Sequence, residues 1–278
     1  MISFKQYLRT SLVESLYLKG INLNFSKELQ KSPSEKDRIS TFPLLPDGYT
    51  HTIKIIDDIK VRVGCLYNYR TTTISKDILK TLKGSGPYII NDVMYHSLLR
   101  FTVDYAVEVI GRQKVQFIIY PESSSHFLKD FIEMLEGKLS NVVFLHEGII
   151  KKQLVATEEY VREHMIDVDY YGYEKMGPAK INDIVKSIIR NINKNDKLGK
   201  GKIITLKDVG NKISNHVVKG FMEVVHESIF DIADKKIMII DDVLSTGSSF
   251  KDMIRVVRDF DPKEVVGLTI FKGISKND

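Results

Sequence analysis

The sequence predicts an α/β fold: an open, mostly parallel sheet with helices on both faces, preceded by an N-terminal α+β elaboration. Two observations predict it. From residue 114 onward, short apolar runs rich in β-branched residues show little polar alternation, which is typical of strands covered on both faces. Between these runs lie segments whose apolar residues recur at helical spacing, and such alternation of strand and helix indicates βαβ units.

The elements of the predicted core follow one another along the chain. The predicted strands are residues 115–120, 142–145, 203–206, 237–240 and 265–271. The apolar helical stripes cover residues 127–135, 181–192, 217–225 and 250–257. Ser249 and Asp252 form a capping-box-like pair at the start of the last stripe. The gap between the second and third strands is long, so we expect residues 153–200 to be an active-site lid or an insertion.

The N-terminal part of the chain has a different pattern. Residues 52–66 mix apolar and β-branched side chains around an acidic turn, which predicts a hairpin. Apolar residues between 90 and 109 follow helical spacing, and Gly111 is the expected C-cap of that helix. We therefore predict an N-terminal elaboration over residues 1–111 and a core domain over residues 112–278.

Composition excludes several classes of protein. The 41 Lys and Arg residues exceed the 36 Asp and Glu residues by five, and they are spread along the chain, so the charge does not favour a nucleic-acid partner. The single cysteine, Cys65, cannot form an internal disulfide, which suits a reducing compartment. No apolar run approaches the length of about 18 residues that spans a membrane. We expect a cytoplasmic protein with no membrane partner.

One segment, residues 237–250, combines an apolar strand, two acids, a hydroxyl-rich turn and a helix start. Asp241 and Asp242 follow the strand, and burying two carboxylates is costly unless they have partners at the carboxyl edge of the sheet, where ligands of open α/β sheets bind. The turn at residues 245–249 leads into a helix whose N-terminal N–H groups and dipole favour a phosphate. The residues therefore predict a phosphate-binding turn beside carboxylates that accept hydrogen bonds from a sugar diol or hold a divalent cation.

This segment resembles the phosphoribosyl-pyrophosphate (PRPP) motif of the type I phosphoribosyltransferases: four apolar residues, two acids and then Val-Leu-Ser-Thr-Gly-Ser-Ser. The resemblance implies a fold of that type, with Asp241 and Asp242 beside the ribose 2′- and 3′-hydroxyls. It also implies a Mg²⁺ cofactor, which the two aspartates hold indirectly, through ribose or water. The residues implied to bind the 5′-phosphate are Ser245, Thr246, Gly247, Ser248 and Ser249.

Two further segments resemble the pyrophosphate-binding parts of this family. The loop after the first predicted strand leads into a helix, as the family's pyrophosphate loop does, and it consists of Glu122, Ser123, Ser124 and Ser125. A helix N-cap by serine is the alternative interpretation of this loop. After the second predicted strand, Lys151 and Lys152 lie where family members often have basic residues that contact pyrophosphate; an exposed surface pair is the alternative.

The acceptor site is less defined by the sequence. Phe271 and Lys272 end the last predicted strand and resemble the place where the 6-oxopurine branch of the family holds the exocyclic oxygen of the purine. Ser245 stands where that branch usually has an acid, which argues against a 6-oxopurine acceptor. A hood over the acceptor would come from residues 1–111 or 153–200.

The resemblance therefore predicts a Mg²⁺-dependent transferase, frequently a homodimer in this family, that displaces pyrophosphate from PRPP with a nitrogen nucleophile of a nucleobase or related acceptor. A non-catalytic PRPP sensor of the same fold, able to bind nucleic acid, is the first alternative. An enzyme that makes PRPP is the second, although that class usually carries two copies of the fold and only one is visible here.

Overall fold

A computed structural model describes residues 24–25, 39–41, 51–54, 60–70, 73–86, 88–89, 92–123, 125–151, 153–154, 157–166, 176–195, 202–203, 220–225, 227–244 and 247–274. Within them, an eight-stranded sheet carries helices on both faces. Its strands are β1 (Ile39–Thr41), β2 (His51–Lys54), β3 (Lys60–Arg70), β4 (Phe117–Pro121), β5 (Val143–Lys151), β6 (Met222–Val224), β7 (Lys236–Leu244) and β8 (Glu264–Ile274).

The strand order across the sheet is β6-β5-β4-β7-β8-β3-β1, and β2 also pairs with β3. The five strands from β5 to β3 in this order run parallel to one another. Strands β1, β2 and β6 are antiparallel to their neighbours. The predicted open, mostly parallel sheet is therefore confirmed. Two short antiparallel pairs lie outside it: Asn24–Phe25 with Tyr88–Ile89, and Gln153–Leu154 with Lys202–Ile203.

Helices cover both faces of the sheet because alternate side chains of the central strands point to opposite sides. The helices are α1 (Thr73–Leu82), α2 (Asp92–Gln113), α3 (His126–Glu136), α4 (Pro178–Asn195) and α5 (Ser248–Arg258). Met238 and Ile240 of β7 pack in a cluster with residues of α1, α2 and α3, whereas Ile237 and Ile239 pack with residues of α4 and α5. A strand buried on both faces needs apolar residues at every position, which explains the absence of polar alternation in the sequence.

Parts of the segment predicted as a lid belong to this packing. A short helix, Glu158–Tyr160, continues into a π-helical turn, Val161–Met165, which buries its first and last side chains in the same cluster as α4. The described portions of residues 153–200 thus cover one face of the sheet. A lid function stays a prediction.

The sheet takes strands from both sides of the predicted boundary at residue 111. Strand β3 lies inside it, between β8 and β1, and pairs with β2 as the predicted hairpin. Helix α2 continues past Gly111 to Gln113, so the predicted C-cap is wrong; Lys114, with φ 52°, leaves the helix instead. The functional division of the chain into two parts stays a prediction. No helix in the described portions is long and apolar enough to cross a membrane.

One predicted element of the core is wrong. Residues 222–224 form β6, an edge strand antiparallel to β5, where the apolar spacing predicted a helix. Of the predicted strand at 203–206, only Ile203 is described; it belongs to the short strand Lys202–Ile203, which pairs with Gln153–Leu154 outside the main sheet. The rest of that predicted strand lies outside the described residues. The helical spacing at 217–225 misled because the backbone there is held by a residue distant in sequence.

That residue is Asp252, in the first turns of α5. Its carboxylate accepts hydrogen bonds from the backbone N–H groups of Gly220, Phe221 and Met222, at 2.9, 2.7 and 3.0 Å. The side chain is buried, and burial raises its pKa, while the three N–H donors act in the opposite direction. Asp252 therefore anchors the edge strand and does not form the predicted capping box; the N-cap of α5 is Gly247.

Replacing this anchor should destabilise the protein. Asp252→Ala leaves three backbone donors without their acceptor, and we expect it to lower the free energy of unfolding by at least about 2 kcal/mol, because buried unsatisfied donors each cost about 1–3 kcal/mol. Denaturant unfolding measures the change, with Asp259→Ala, an exposed position at the end of the same helix, as the control. Equal stability of the two variants would contradict the anchoring role.

Candidate functional site

The candidate site lies where the connections of the sheet diverge. From β4 the chain passes through α3 to β5 on one side, and from β7 it passes through α5 to β8 on the other. Pairing between β4 and β7 ends at Ile239, whereas pairing between β7 and β8 continues to Leu244. A crevice therefore opens between β4 and β7 at the carboxyl edge of the sheet, the position where open α/β sheets bind ligands.

Asp241 and Asp242 lie at this crevice, within the part of β7 that has no pairing to β4. The strand is longer than predicted and includes both acids, and Asp241 pairs with Thr269 of β8. By the alternation of strand side chains, Asp241 continues the face of Ile239 and Asp242 continues the face of Ile240. The two side chains are therefore directed to opposite faces of the sheet.

The acidic pair is held by charge and by the main chain. The N–H of Asp242 donates to Oδ1 of Asp241 at 2.8 Å, and Nζ of Lys83 lies 2.7 Å from Oδ2 of Asp242. Asp242 is buried, and Asp241 is partly exposed. Desolvation by the surrounding protein and then the charge of Asp242 raise the pKa of Asp241 to about 7, while that N–H, Lys83 and Lys151 act in the opposite direction. Asp241 therefore gains a proton more readily than an exposed aspartate does, and added positive charge stabilises its ionised form.

Helix α5 begins without side-chain capping by its N-cap residue. Gly247, with φ 79°, is the N-cap of α5, and its carbonyl accepts from the N–H of Lys251 at 2.8 Å. Since glycine has no side chain, the first N–H groups of α5 remain available to an anion. Ser249 begins this helix with Ser248 and is partly exposed. Ser245 and Thr246 lie outside the described residues.

The loop after β4 contains the helix N-cap that was the alternative interpretation, and its binding of pyrophosphate stays a prediction. The N–H of Glu122 donates to the carbonyl of Ile149 at 2.7 Å, which keeps this exposed residue at the end of β4. Ser125 is the N-cap of α3: its Oγ accepts from the N–H of Leu128 at 3.4 Å, and its own N–H donates to Oγ of Ser123. The buried hydroxyl of Ser125 thus serves the helix. Ser124 lies outside the described residues.

Lys151 is the last residue of β5, and it lies near the acidic pair. It shares its face of the sheet with Ile149, two residues earlier, and its charge lowers the pKa of Asp241, so the two groups lie within electrostatic reach. Lys152 lies outside the described residues.

The predicted acceptor residues occupy the end of β8. Phe271 is 3% exposed, and its ring stacks on Tyr67 with centroids 5.6 Å apart and lies 6.1 Å from the ring of Phe127. The structure thus gives Phe271 a packing role in the core. Lys272, paired in register with Leu244, is partly exposed at the same edge as the acids.

Lys83 is the site residue that sequence analysis missed. Its helix, α1, is amphipathic and ends at Leu82 with the sequence Lys-Thr-Leu-Lys-Gly, which is typical of a helix C-terminus with a glycine at C′. That signal could have predicted the helix end. The contact with Asp242 could not be predicted, because it joins residues more than 150 positions apart.

The chemistry of the acidic pair suits Mg²⁺, and indirect holding of the ion through ribose or water stays a prediction. Carboxylate oxygens are ligands that Mg²⁺ prefers, and the ion usually keeps waters or substrate oxygens in the rest of its shell. The described portions of the chain contain no group of three or more His, Cys, Asp or Glu side chains that could hold a metal ion. Asp241 and Asp242 alone would therefore supply part of a coordination sphere.

Comparison with known proteins identifies the segment that carries this site. Residues 184–277 match the family model described as the phosphoribosyl transferase domain, and this range includes β7, α5, β8 and the acidic pair. Among solved structures, a purine phosphoribosyltransferase from Pyrococcus horikoshii Ot3 is 13% identical; the alignment covers 63% of this chain and 82% of that one, with a TM-score of 0.32. No curated protein matches the sequence. The match over residues 184–277 agrees with the family predicted from the motif.

Proposed function

We propose that this protein is a Mg²⁺-dependent phosphoribosyltransferase that uses PRPP and a nitrogen nucleophile of a nucleobase or related acceptor. The observation that carries the proposal is the position of Asp241 and Asp242: they lie where the connections of the sheet diverge, a few residues before the N-terminus of α5. A phosphorylated sugar needs both features at once, an anion site for its phosphate and acceptors for its hydroxyls. We further propose that the protein works as a homodimer in the cytoplasm.

The proposed binding mode uses one element for each part of PRPP. The turn at residues 245–249 and the N–H groups of α5 hold the 5′-phosphate. Asp241 and Asp242 accept hydrogen bonds from the 2′- and 3′-hydroxyls of the ribose. Lys151 and Lys152, with the loop at residues 122–125, bind the pyrophosphate, whose charge needs neutralisation as it leaves.

The proposed reaction exchanges one bond at C1 of the ribose. The C1–O bond to pyrophosphate breaks and its electrons leave with pyrophosphate, while the acceptor nitrogen forms a bond to C1 and its proton passes to solvent or a nearby base. Asp241 and Asp242 fix the ring hydroxyls and place negative charge near the ribose, which develops positive charge at C1. Bound Mg²⁺, held through Asp241 and Asp242, would supply positive charge to the pyrophosphate. Phe271 and Lys272, with a hood from residues 1–111 or 153–200, define the acceptor side.

Removing both carboxylates should abolish most of the activity. Asp241→Asn with Asp242→Asn removes the charge that faces the ribose, and we expect turnover to fall by at least about 10²-fold, the scale for losing an oriented polar contact in a transition state. Pyrophosphate release from PRPP, followed over a panel of bases, nucleosides and nucleic acids, measures it. The matched control is Asp231→Asn with Asp259→Asn, which changes two exposed aspartates. Unchanged PRPP binding and turnover in the first double variant would exclude this site.

The same panel separates the enzyme from a sensor. Wild-type protein that releases pyrophosphate with one acceptor supports the transferase and names that acceptor. Protein that binds PRPP in calorimetry but releases pyrophosphate with none of the acceptors would be a PRPP-binding regulator, and the enzymatic proposal would then be wrong.

Lys151 should matter for the pyrophosphate portion of the ligand. Lys151→Met removes a charge that lies within reach of Asp241, and we expect inorganic pyrophosphate to bind about tenfold more weakly, since hydrogen bonds to charged groups contribute about 1.5–3 kcal/mol. Calorimetric titration with pyrophosphate measures the change. Lys129→Met is the control, because Lys129 is an exposed lysine that faces Glu147. A loss of equal size in both variants would indicate a general charge effect.

A further inference from the structure

Lys83, which lies outside the matched family segment, forms an ion pair with one residue of the acidic pair. Nζ of Lys83 is 2.7 Å from Oδ2 of Asp242, and the lysine side chain remains 35% exposed while the aspartate is buried. Lys83 follows α1, which packs on the same face of the sheet as α2 and α3. The end of α1 therefore joins β7, β5 and the N-terminus of α5 at the candidate site.

The main chain at Lys83 is fixed in place by a Schellman motif. The N–H of Gly84 donates to the carbonyl of Thr81 at 2.9 Å, and the N–H of Ser85 donates to the carbonyl of Lys80 at 2.8 Å. Gly84 has φ 83° and lies so close to α3 that a Cβ there would be 2.3 Å from Cδ2 of His126. Only glycine meets both conditions, so the helix end is held against the N-terminus of α3, at the edge where the crevice opens.

The ion pair has a weak structural role of its own. A partly exposed pair of this kind contributes about 0–1 kcal/mol to stability, because solvent screens the attraction and ordering the long lysine side chain costs entropy. The lysine stem is flexible, and its ammonium can pair with any anion within reach. A fixed main chain with a mobile cationic end suits a residue that changes partners when a ligand enters.

We propose that Lys83 is an exchangeable counter-ion of the site. In the free protein its ammonium pairs with Asp242. When a sugar pyrophosphate binds, the sugar hydroxyls donate hydrogen bonds to Asp242, and Lys83 contacts the pyrophosphate instead. This inference rests on the proposed function. A ligand that brings vicinal hydroxyls and a pyrophosphate group together supplies both new partners in the same event. Neither group is then left without a partner, because Asp242 gains hydrogen bonds from the hydroxyls as Lys83 gains an ion pair with the pyrophosphate.

The test compares Lys83→Met with Lys83→Arg and with Lys80→Met. Lys80 is an exposed lysine in the same helix and pairs with Asp77 at 3.0 Å, which makes it the matched control. Each protein, kept as the full chain, is titrated calorimetrically with PRPP and with ribose 5-phosphate, which has the hydroxyls and phosphate but lacks pyrophosphate.

We expect Lys83→Met to weaken PRPP binding by about tenfold or more, the loss expected for a hydrogen bond to a charged group. Ribose 5-phosphate should bind this variant equally well or more tightly, because its hydroxyls no longer displace Lys83. Lys83→Arg should restore most of the affinity for PRPP, and Lys80→Met should match the wild type. Denaturant unfolding should show all three variants within about 1 kcal/mol of the wild type.

Each other outcome overturns a defined part of the proposal. If the wild type binds PRPP and Lys83→Met binds it equally well or more tightly, then Lys83 does not contact the ligand. The proposed function would stand in that case. Equal weakening of PRPP and ribose 5-phosphate, or a large loss of stability, would show a structural role instead. Failure of the wild type to bind PRPP would overturn both this inference and the proposed function.

Discussion

Two adjacent carboxylates at the end of a buried strand are the constraint on which the site depends. Asp241 and Asp242 repel each other, and the protein around them excludes water, which raises the pKa of Asp241 to about 7. Each compensation seen in the structure is positive: the N–H of Asp242, the ammonium of Lys83 and the charge of Lys151. The elements that supply them must meet at one edge of the sheet, so the packing of the domain and the chemistry of the site are linked.

The sheet meets this requirement through its connections. Because β4 and β7 lead to neighbours on opposite sides, their pairing can end at Ile239 without breaking the sheet. The acids then lie in a gap, with pairing to β8 continuing beside them to Leu244. The core packs against both faces of the sheet, and Asp252 links α5 by hydrogen bonds to the strand at the far edge. Parts of the chain outside the candidate site thereby help to position its residues.

Sequence patterns predicted the parts of this arrangement that depend on neighbouring residues. The central strands and helices α3, α4 and α5 follow from local apolar spacing, and the acidic pair followed by a hydroxyl-rich turn is a contiguous motif. The pattern at residues 217–225 misled because Asp252, about 30 positions later, decides the backbone there. Lys83 was missed for the same physical reason: its helix end is local, but its partner is supplied by tertiary packing.

The acidic and the cationic groups of the candidate site come from different parts of the chain. The matched segment, residues 184–277, supplies the acidic pair and the helix terminus, which suit the sugar and its phosphate. The cations come from elsewhere, Lys151 from β5 and Lys83 from the end of α1. Acids without those cations would repel a polyanionic ligand, since like charges in a dry crevice interact strongly. Under the proposed function, the functional unit therefore includes the sheet and helices that precede the matched segment, with α1 beside the motif.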